Sequence, residues 1–350
     1  TEKINEFSAL SGSGAIDVKS PPLFVILLFY MTVFFLASES FEIMLLRGQK
    51  KRIAAVMSLF LISSLLSGIL TYCPVGEDDL IFVDVGQGDC IHIRADETDV
   101  LIDGGGNINY NVGKNTLKPY LLKNGCSRVD MAVATHLHTD HTAGYSDLIF
   151  TPWVLERKEP LKVFGPKGIR EMTDHIEKAY AVDIDFRING FEKANEEGYK
   201  VEAKEIQAGI IYQDDRVTVE AFPVSHGTLE SYGFKFTTPD KVIVISGDTA
   251  PLEIVAEKAK GCDILLHEVE YTAGLSAREP KWQKYHQEVH TLSVDLAKVA
   301  QKAQPKLLVT YHRIYHMEIQ DNTVDVEAEM SRRNEAILQE IKDAGYEGPA

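Results

Sequence analysis

The segment Thr135-His136-Leu137-His138-Thr139-Asp140-His141 constrains this chain more than any other. It follows Met131-Ala132-Val133-Ala134, an apolar run that reads as a buried strand, and it places four metal-donor side chains within six positions. Side chains on extended backbone alternate between faces, so His136 and His138 point the same way. Asp140 and His141 then fall in the following loop. Imidazole together with carboxylate suits zinc or a similar first-row ion. Three imidazoles and a carboxylate crowded this closely suggest more than one ion. With 11 histidines in 350 residues, such a cluster seldom arises by chance.

Further donors stand where apolar runs end. They are His226 after Ser225, Asp248 in Ser246-Gly247-Asp248-Thr249, and His312 in Thr310-Tyr311-His312. Taken singly, each reads more readily as a surface or capping residue. Together they bring the set to seven: His136, His138, Asp140, His141, His226, Asp248 and His312. Two four- or five-coordinate ions use seven donors if one carboxylate is shared, and Asp248 is the natural bridge.

The surrounding pattern is that of a layered α/β fold with its site along one edge. Short β-type runs lie at 80–85, 90–94, 99–103 and 131–135, and later at 217–224, 232–237, 241–246, 262–266 and 306–310. Gly86-Gln87-Gly88-Asp89 reads as a hairpin turn, and Gly104-Gly105-Gly106 as a turn near the metals. Helices are expected at 115–123, 169–180, 291–303 and 324–344, and the stretch 160–210 is the least legible. A composition of 45% hydrophobic and 25% charged residues excludes disordered and low-complexity classes. Four cysteines far apart, with no CxxC, suggest neither a disulfide framework nor a thiolate zinc knuckle.

The first 74 residues differ from the rest. Pro22 to Ser38 and Ile53 to Cys73 are uncharged runs of 17 and 21 residues. A bilayer core takes roughly 20 apolar residues in a helix. Both runs therefore predict transmembrane helices, about 22–38 and 53–73. Arg47, Lys50, Lys51 and Arg52 between them mark a cytoplasmic loop. That topology puts a domain at 79–350 on the extracytoplasmic side of the cell membrane, joined through a membrane segment at 1–78 and an acidic, turn-rich exit at 74–79. Residues 1–74 carry six basic and five acidic side chains, so the remaining 30 and 47 give 75–350 a net charge of −17. A domain this acidic has no bulk field to draw in nucleic acid.

The soluble part resembles the metallo-β-lactamase superfamily, whose HxHxDH signature matches at 136–141 and whose later His, Asp and His positions match at 226, 248 and 312. The resemblance implies an αββα sandwich and two Zn2+ per chain. By it, His136, His138 and His226 hold one ion; Asp140, His141 and His312 hold the other; Asp248 bridges. Two finer resemblances meet at that signature, as they would in a chimera. Spans, the strand and turn at 81–89, Leu101 to Gly106 and Tyr120-Leu121-Leu122 are similar to the end of the competence protein ComEC. Phe164 to Gly168, Ser246 to Thr249, Leu265-Leu266-His267-Glu268 and His290-Thr291-Leu292-Ser293 are similar to the RNase Z-like branch. That second resemblance implies an active-site role for His290 without permanent metal binding.

The expected chemistry is hydrolysis of a phosphodiester by a metal-held hydroxide. Asp140 would orient the nucleophile, His290 would protonate the leaving oxygen or stabilise the transition-state oxyanion, and Glu268 would orient His290. Two alternatives use the same donors: a lactonase or thioesterase, and an accessory nuclease in ComEC-like DNA uptake. The glycine-proline arm of tRNA-processing members is missing between His141 and His226, which counts against tRNA as substrate, and homo-oligomerisation stays open.

Overall fold

The computed structural model describes residues 23–71, 79–85, 88–95, 98–106, 111–124, 126, 129–316 and 325–350. Residues 86 and 87 of the expected hairpin turn and residues 74–78 of the expected exit lie outside them, as do residues 22, 72 and 73 at the ends of the two apolar runs.

Among the described residues, twelve strands build two sheets. The first contains β1 (Asp79–Phe82), β2 (Ile91–Ala95), β3 (Thr98–Ile102), β4 (Met131–Val133), β5 (Leu161–Gly165) and β6 (Val201–Glu205), in that spatial order. Its first three strands are antiparallel and the rest parallel. The second contains β7 (Gly209–Gln213), β8 (Thr218–His226), β9 (Leu229–Thr237), β10 (Val242–Ile245), β11 (Ile264–Glu270) and β12 (Leu307–Ile314), also in order. It is antiparallel as far as β10, and β10, β11 and β12 run parallel.

The period-two alternation of the strands sorts side chains into three apolar layers. Between the sheets, Ile102, Met131, Val133 and Phe164 meet Val219, Phe234, Ile245 and Leu266. Their strand neighbours point outward. Leu101, Ala132 and Val163 pack under Leu148, Ile149 and Trp153 of the helix Tyr145–Val154 and Ile169 of the helix Ile169–Ala179. On the other side Val244, Leu265 and Leu308 pack under Val255, Leu296, Ala300, Ile337 and Ile341, from the helices Glu253–Lys258, Ser293–Ala303 and Val326–Asp343. This is the expected αββα order. Each fully buried Leu, Ile or Phe contributes about 1.5–3 kcal/mol. Strands covered on both faces need no polar alternation, which is why β4 and the first three residues of β11, Ile264-Leu265-Leu266, read as continuous apolar runs.

The amino-terminal expectation needs correction. Both apolar runs are helical, as Leu23–Leu36 and Lys50–Thr71, with a short helix Glu39–Leu46 between them. The first and last pack together, with the rings of Phe29 and Phe60 5.7 Å apart. Among the described residues, however, no helix is long and apolar enough to cross a membrane. The first has 14 residues, about 21 Å at 1.5 Å per residue, against a hydrocarbon core of about 30 Å. The last opens on Lys50, Lys51 and Arg52.

Candidate metal centre

The ends of the parallel strands and of β8 meet at one edge of the sandwich. His136 follows β4, His226 closes β8, Asp248 follows β10, and Glu268 and His312 lie within β11 and β12. His312 reaches the centre through a bulge. In the β11–β12 ladder Tyr311 faces Glu268 and Arg313 faces Val269, so His312 is the extra residue, with φ +41°. A bulge of this kind re-aims one side chain out of the sheet alternation.

The histidine loop is clamped by two glycine loops. Gly104 N–H donates to the carbonyl of His141 at 2.8 Å, and Gly105 N–H to that of Asp89 at 2.7 Å. A Cβ on Gly88, which has φ +75°, would lie 1.7 Å from the Asp140 carbonyl oxygen. One on Gly106 would lie 2.1 Å from that of Thr139. Only glycine lets these backbones approach so closely, and the reading of 104–106 as a turn beside the histidines agrees with this.

Three imidazoles have one nitrogen committed elsewhere, which frees the other for the centre. His141 Nδ1 donates to Asp103 Oδ2 at 2.9 Å, and His226 Nδ1 to the Val289 carbonyl at 2.8 Å. Thr135 Oγ1 donates to Asp103 Oδ2 at 2.7 Å and therefore accepts from His136 Nδ1 at 3.1 Å. Each ring is thus oriented with Nε2 toward the other donors, the atom a metal-binding histidine offers once it is deprotonated. His136 Nε2 and His226 Nε2 lie 3.1 and 3.4 Å from His138 Nδ1. Asp248 Oδ2 lies 3.4 Å from His312 Nε2, 3.6 Å from His141 Nε2 and 3.9 Å from His136 Nε2. His141 Nε2 and Asp248 Oδ1 are buried with no hydrogen-bond partner. Buried polar atoms without partners are costly. Two divalent ions, one among His136, His138 and His226 and one beside Asp248, fit this donor set.

Six of the seven predicted donors converge in this way. Asp140 stands at the rim, 31% exposed, its Oδ2 3.9 Å from His141 Nε2. Grouped with His141, Asp248 and His312 is a carboxylate that sequence reading passed over. Asp89 is buried, and one of its carboxyl oxygens lies within 4.8 Å of their donor atoms. Asp103 was also missed. Its signal was present, a strand-end Asp beside glycine like Gly247-Asp248, whereas Asp89 was hidden in a motif that reads as a turn.

Charge compensation follows from burial. Burial pushes the Asp89 carboxyl up to about 7. Burial alone would lower His312, but Asp248 and Asp89 outweigh it and push it up to about 10. Burial and the neighbouring His141 drive His136 down to about 2. Burial would raise Asp248, yet His312 and His141 hold it well below the usual carboxylate range.

Glu268 and His290 lie beside the donors. His290 Nδ1 meets Glu268 Oε2 at 2.9 Å, and Glu268 Oε1 accepts from Thr249 N–H at 2.5 Å. A ring nitrogen of His290 lies within 4.8 Å of donor atoms of His226 and Asp248. His267 points away from the centre, its Nδ1 2.7 Å from the Glu268 carbonyl.

Comparison with known proteins agrees with this architecture. A ribonuclease Z from Mycobacterium sp. (strain KMS) is 31% identical over 187 residues, 51% of this chain and 63% of that protein. Another, from Mycolicibacterium gilvum (strain PYR-GCK), is 30% identical over 149 residues, 41% of this chain and 52% of that protein. The chain thus spans between half and two thirds of the length of these relatives. Among solved structures, the metallo-beta-lactamase fold protein YhfI from Bacillus subtilis superposes with a TM-score of 0.53 at 15% identity, covering 75% of this chain and 88% of that one. Human tRNase Z, short form, gives 0.52 at 20% identity, covering 68% and 93%. At such identities the likeness is one of fold. The family model described as "Beta-lactamase superfamily domain" matches residues 98–313. With most of the chain so matched and with the αββα sandwich and its edge cluster in place, the chain belongs to the β-lactamase superfamily.

Proposed function

We propose that this chain is a binuclear zinc-dependent hydrolase that cleaves phosphodiester bonds, as a nuclease or phosphodiesterase. The observation that carries the reading is the Glu268–His290 pair beside the donor cluster. With one nitrogen held by Glu268, His290 keeps the other for a substrate oxygen, the arrangement of an oriented general acid. Bound zinc would supply Lewis acidity toward a phosphoryl oxygen and a nucleophile at neutral pH. His136, His138 and His226 would hold one ion, and Asp140, His141 and His312 the other, with Asp248 shared and Asp89 alongside. Asp140, half-buried at the rim, would also orient the attacking water. The ribonuclease Z relatives support a nucleic-acid substrate. The net charge of −17 on residues 75–350 favours one gripped locally at the scissile phosphate.

The zinc-loaded chain is expected to contain two tightly held ions at this centre. It should hydrolyse bis-p-nitrophenyl phosphate and single-stranded RNA in preference to a lactone or a thioester. Turnover of the lactone or thioester alone would overturn the phosphodiester reading in favour of the carboxylic-ester one.

Membrane attachment through residues 22–73, with the hydrolase domain on the extracytoplasmic side, is a separate part of the proposal, and the ComEC-like role in DNA uptake depends on it. Its support is the exposed apolar surface of the first and third helices, where Leu27, Met31, Phe34, Leu61 and Ile62 are all more than half exposed. Patches of this kind mark partner or membrane contacts. Protease added to right-side-out cells should remove the domain; a protected domain would overturn the orientation, and recovery of the full chain in the soluble fraction would overturn the attachment.

A further inference from the structure

A second cluster of donors stands apart from the seven. Glu270 closes β11, His286 lies in the helix Pro280–Val289, and His316 follows β12. The Glu270 side chain is fully buried, that of His316 is 6% exposed and that of His286 20%. Both imidazoles converge on one carboxylate oxygen. His286 Nδ1 lies 3.0 Å from Glu270 Oε1, and His316 Nε2 is in close contact with the same atom. The two rings stand nearly perpendicular, centroids 4.8 Å apart.

Hydrogen bonding accounts for only part of this arrangement, since His316 Nε2 is hydrogen-bonded to Glu270 Oε1. His286 Nδ1, despite its distance, is not aligned to donate to Oε1, and it is buried without a hydrogen-bond partner. Glu270 Oε2 is likewise buried and unpartnered. Among the described residues the ion-pair contacts of Glu270 are these two imidazoles, with no lysine or arginine among them. A buried carboxylate needs a compensating charge. Two imidazoles and a carboxylate form the three-ligand set of open zinc and other first-row metal sites. With metal–ligand bonds of about 2.0–2.2 Å, tetrahedral donors lie about 3.3 Å apart, close to the spacing of His286 Nδ1 and Glu270 Oε1.

We propose that Glu270, His286 and His316 form a third divalent-cation site, for zinc or a similar first-row ion. Its place gives it a role. His286 and His290 sit one helical turn apart, ring centroids 5.7 Å from each other. Glu270 N–H also donates to the Thr291 carbonyl at 2.9 Å. An ion here would tie the end of that helix to β11 and to the segment after β12, fixing the backbone that carries His290. The site does not depend on which substrate the main centre takes.

Cobalt(II) titration of the full chain, with metal content measured by mass spectrometry, tests the proposal. The unaltered chain should bind three equivalents, His316→Ala two, and the double variant His136→Ala/Asp248→Ala one. Glu270→Gln, close in shape to the native side chain, should also bind two, and thermal melting should show it folded. Retention of three equivalents by folded Glu270→Gln, or two by the unaltered chain with none left in the folded double variant, would overturn the third site. Failure of the main centre reads differently: the unaltered chain and the double variant would then both bind one.

Discussion

Asp248→Ala is expected to empty both halves of the main centre rather than one. Its Oδ2 lies between 3.4 and 3.9 Å from Nε2 atoms of His312, His141 and His136, which belong to different ends of the cluster. Asp89, by contrast, groups with His141, Asp248 and His312. Partners that merely support a ligand cost 10–100-fold in affinity or activity when lost, so the loss of a shared ligand should exceed about 100-fold. Metal analysis after dialysis checks this; two ions retained at the main centre would refute the bridging position. Metal binding must also displace protons. Without metal, His312 holds its proton up to about pH 10, because Asp248 and Asp89 outweigh its burial. Apparent affinity should therefore rise with pH through the neutral range, about tenfold per unit for each proton displaced. A pH-independent affinity would show that His312 takes no part.

What the sequence reveals here follows from how locally each feature is encoded. The histidine loop is legible because four donors and the strand before them lie within one short segment. Asp248 and His226 are legible because apolar runs stop at them. The αββα layering follows from the alternation of buried strands and amphipathic helices. By contrast, β6 reads Val-Glu-Ala-Lys-Glu and β7 Gly-Ile-Ile-Tyr-Gln, edge strands with largely half-exposed or exposed side chains. With solvent on part of both, neither the apolar run nor the clean alternation of a covered strand survives, so 160–210 stays obscure. Asp89 is invisible because it lies in a loop that is joined to the Gly105 loop only in space, through the Gly105 N–H to Asp89 carbonyl bond. The bulge that turns His312 inward depends on the pairing of β11 with β12, a long-range property. Glu270, His286 and His316 are scattered over three elements and acquire meaning only in space. The amino-terminal helices are read from hydrophobicity alone. Hydrophobicity correctly indicated helix, while span length depended on where the first helix stops, at Leu36.

His290→Ala is expected to lower phosphodiester turnover by about 10²–10⁴-fold, the range of a lost general acid, and to leave the two ions of the main centre in place. Its Nδ1 is held at 2.9 Å by Glu268, so the imidazole is oriented before substrate arrives. Burial would lower its pKa, but Glu268 more than offsets this and raises it above the usual imidazole value, so the imidazolium persists to higher pH. A proton donor matters only when the leaving oxygen needs a proton. The loss should therefore be large for RNA, whose departing ribose oxygen is a poor leaving group, and much smaller for bis-p-nitrophenyl phosphate, whose phenolate departs unaided. For RNA the native rate should fall as pH rises through the His290 titration. Glu268→Gln should move that fall to lower pH, because the carboxylate that sustains the imidazolium is gone. An equal loss on both substrates would assign His290 to holding the phosphoryl group instead, since stabilising charge on phosphorus does not depend on the leaving group's basicity.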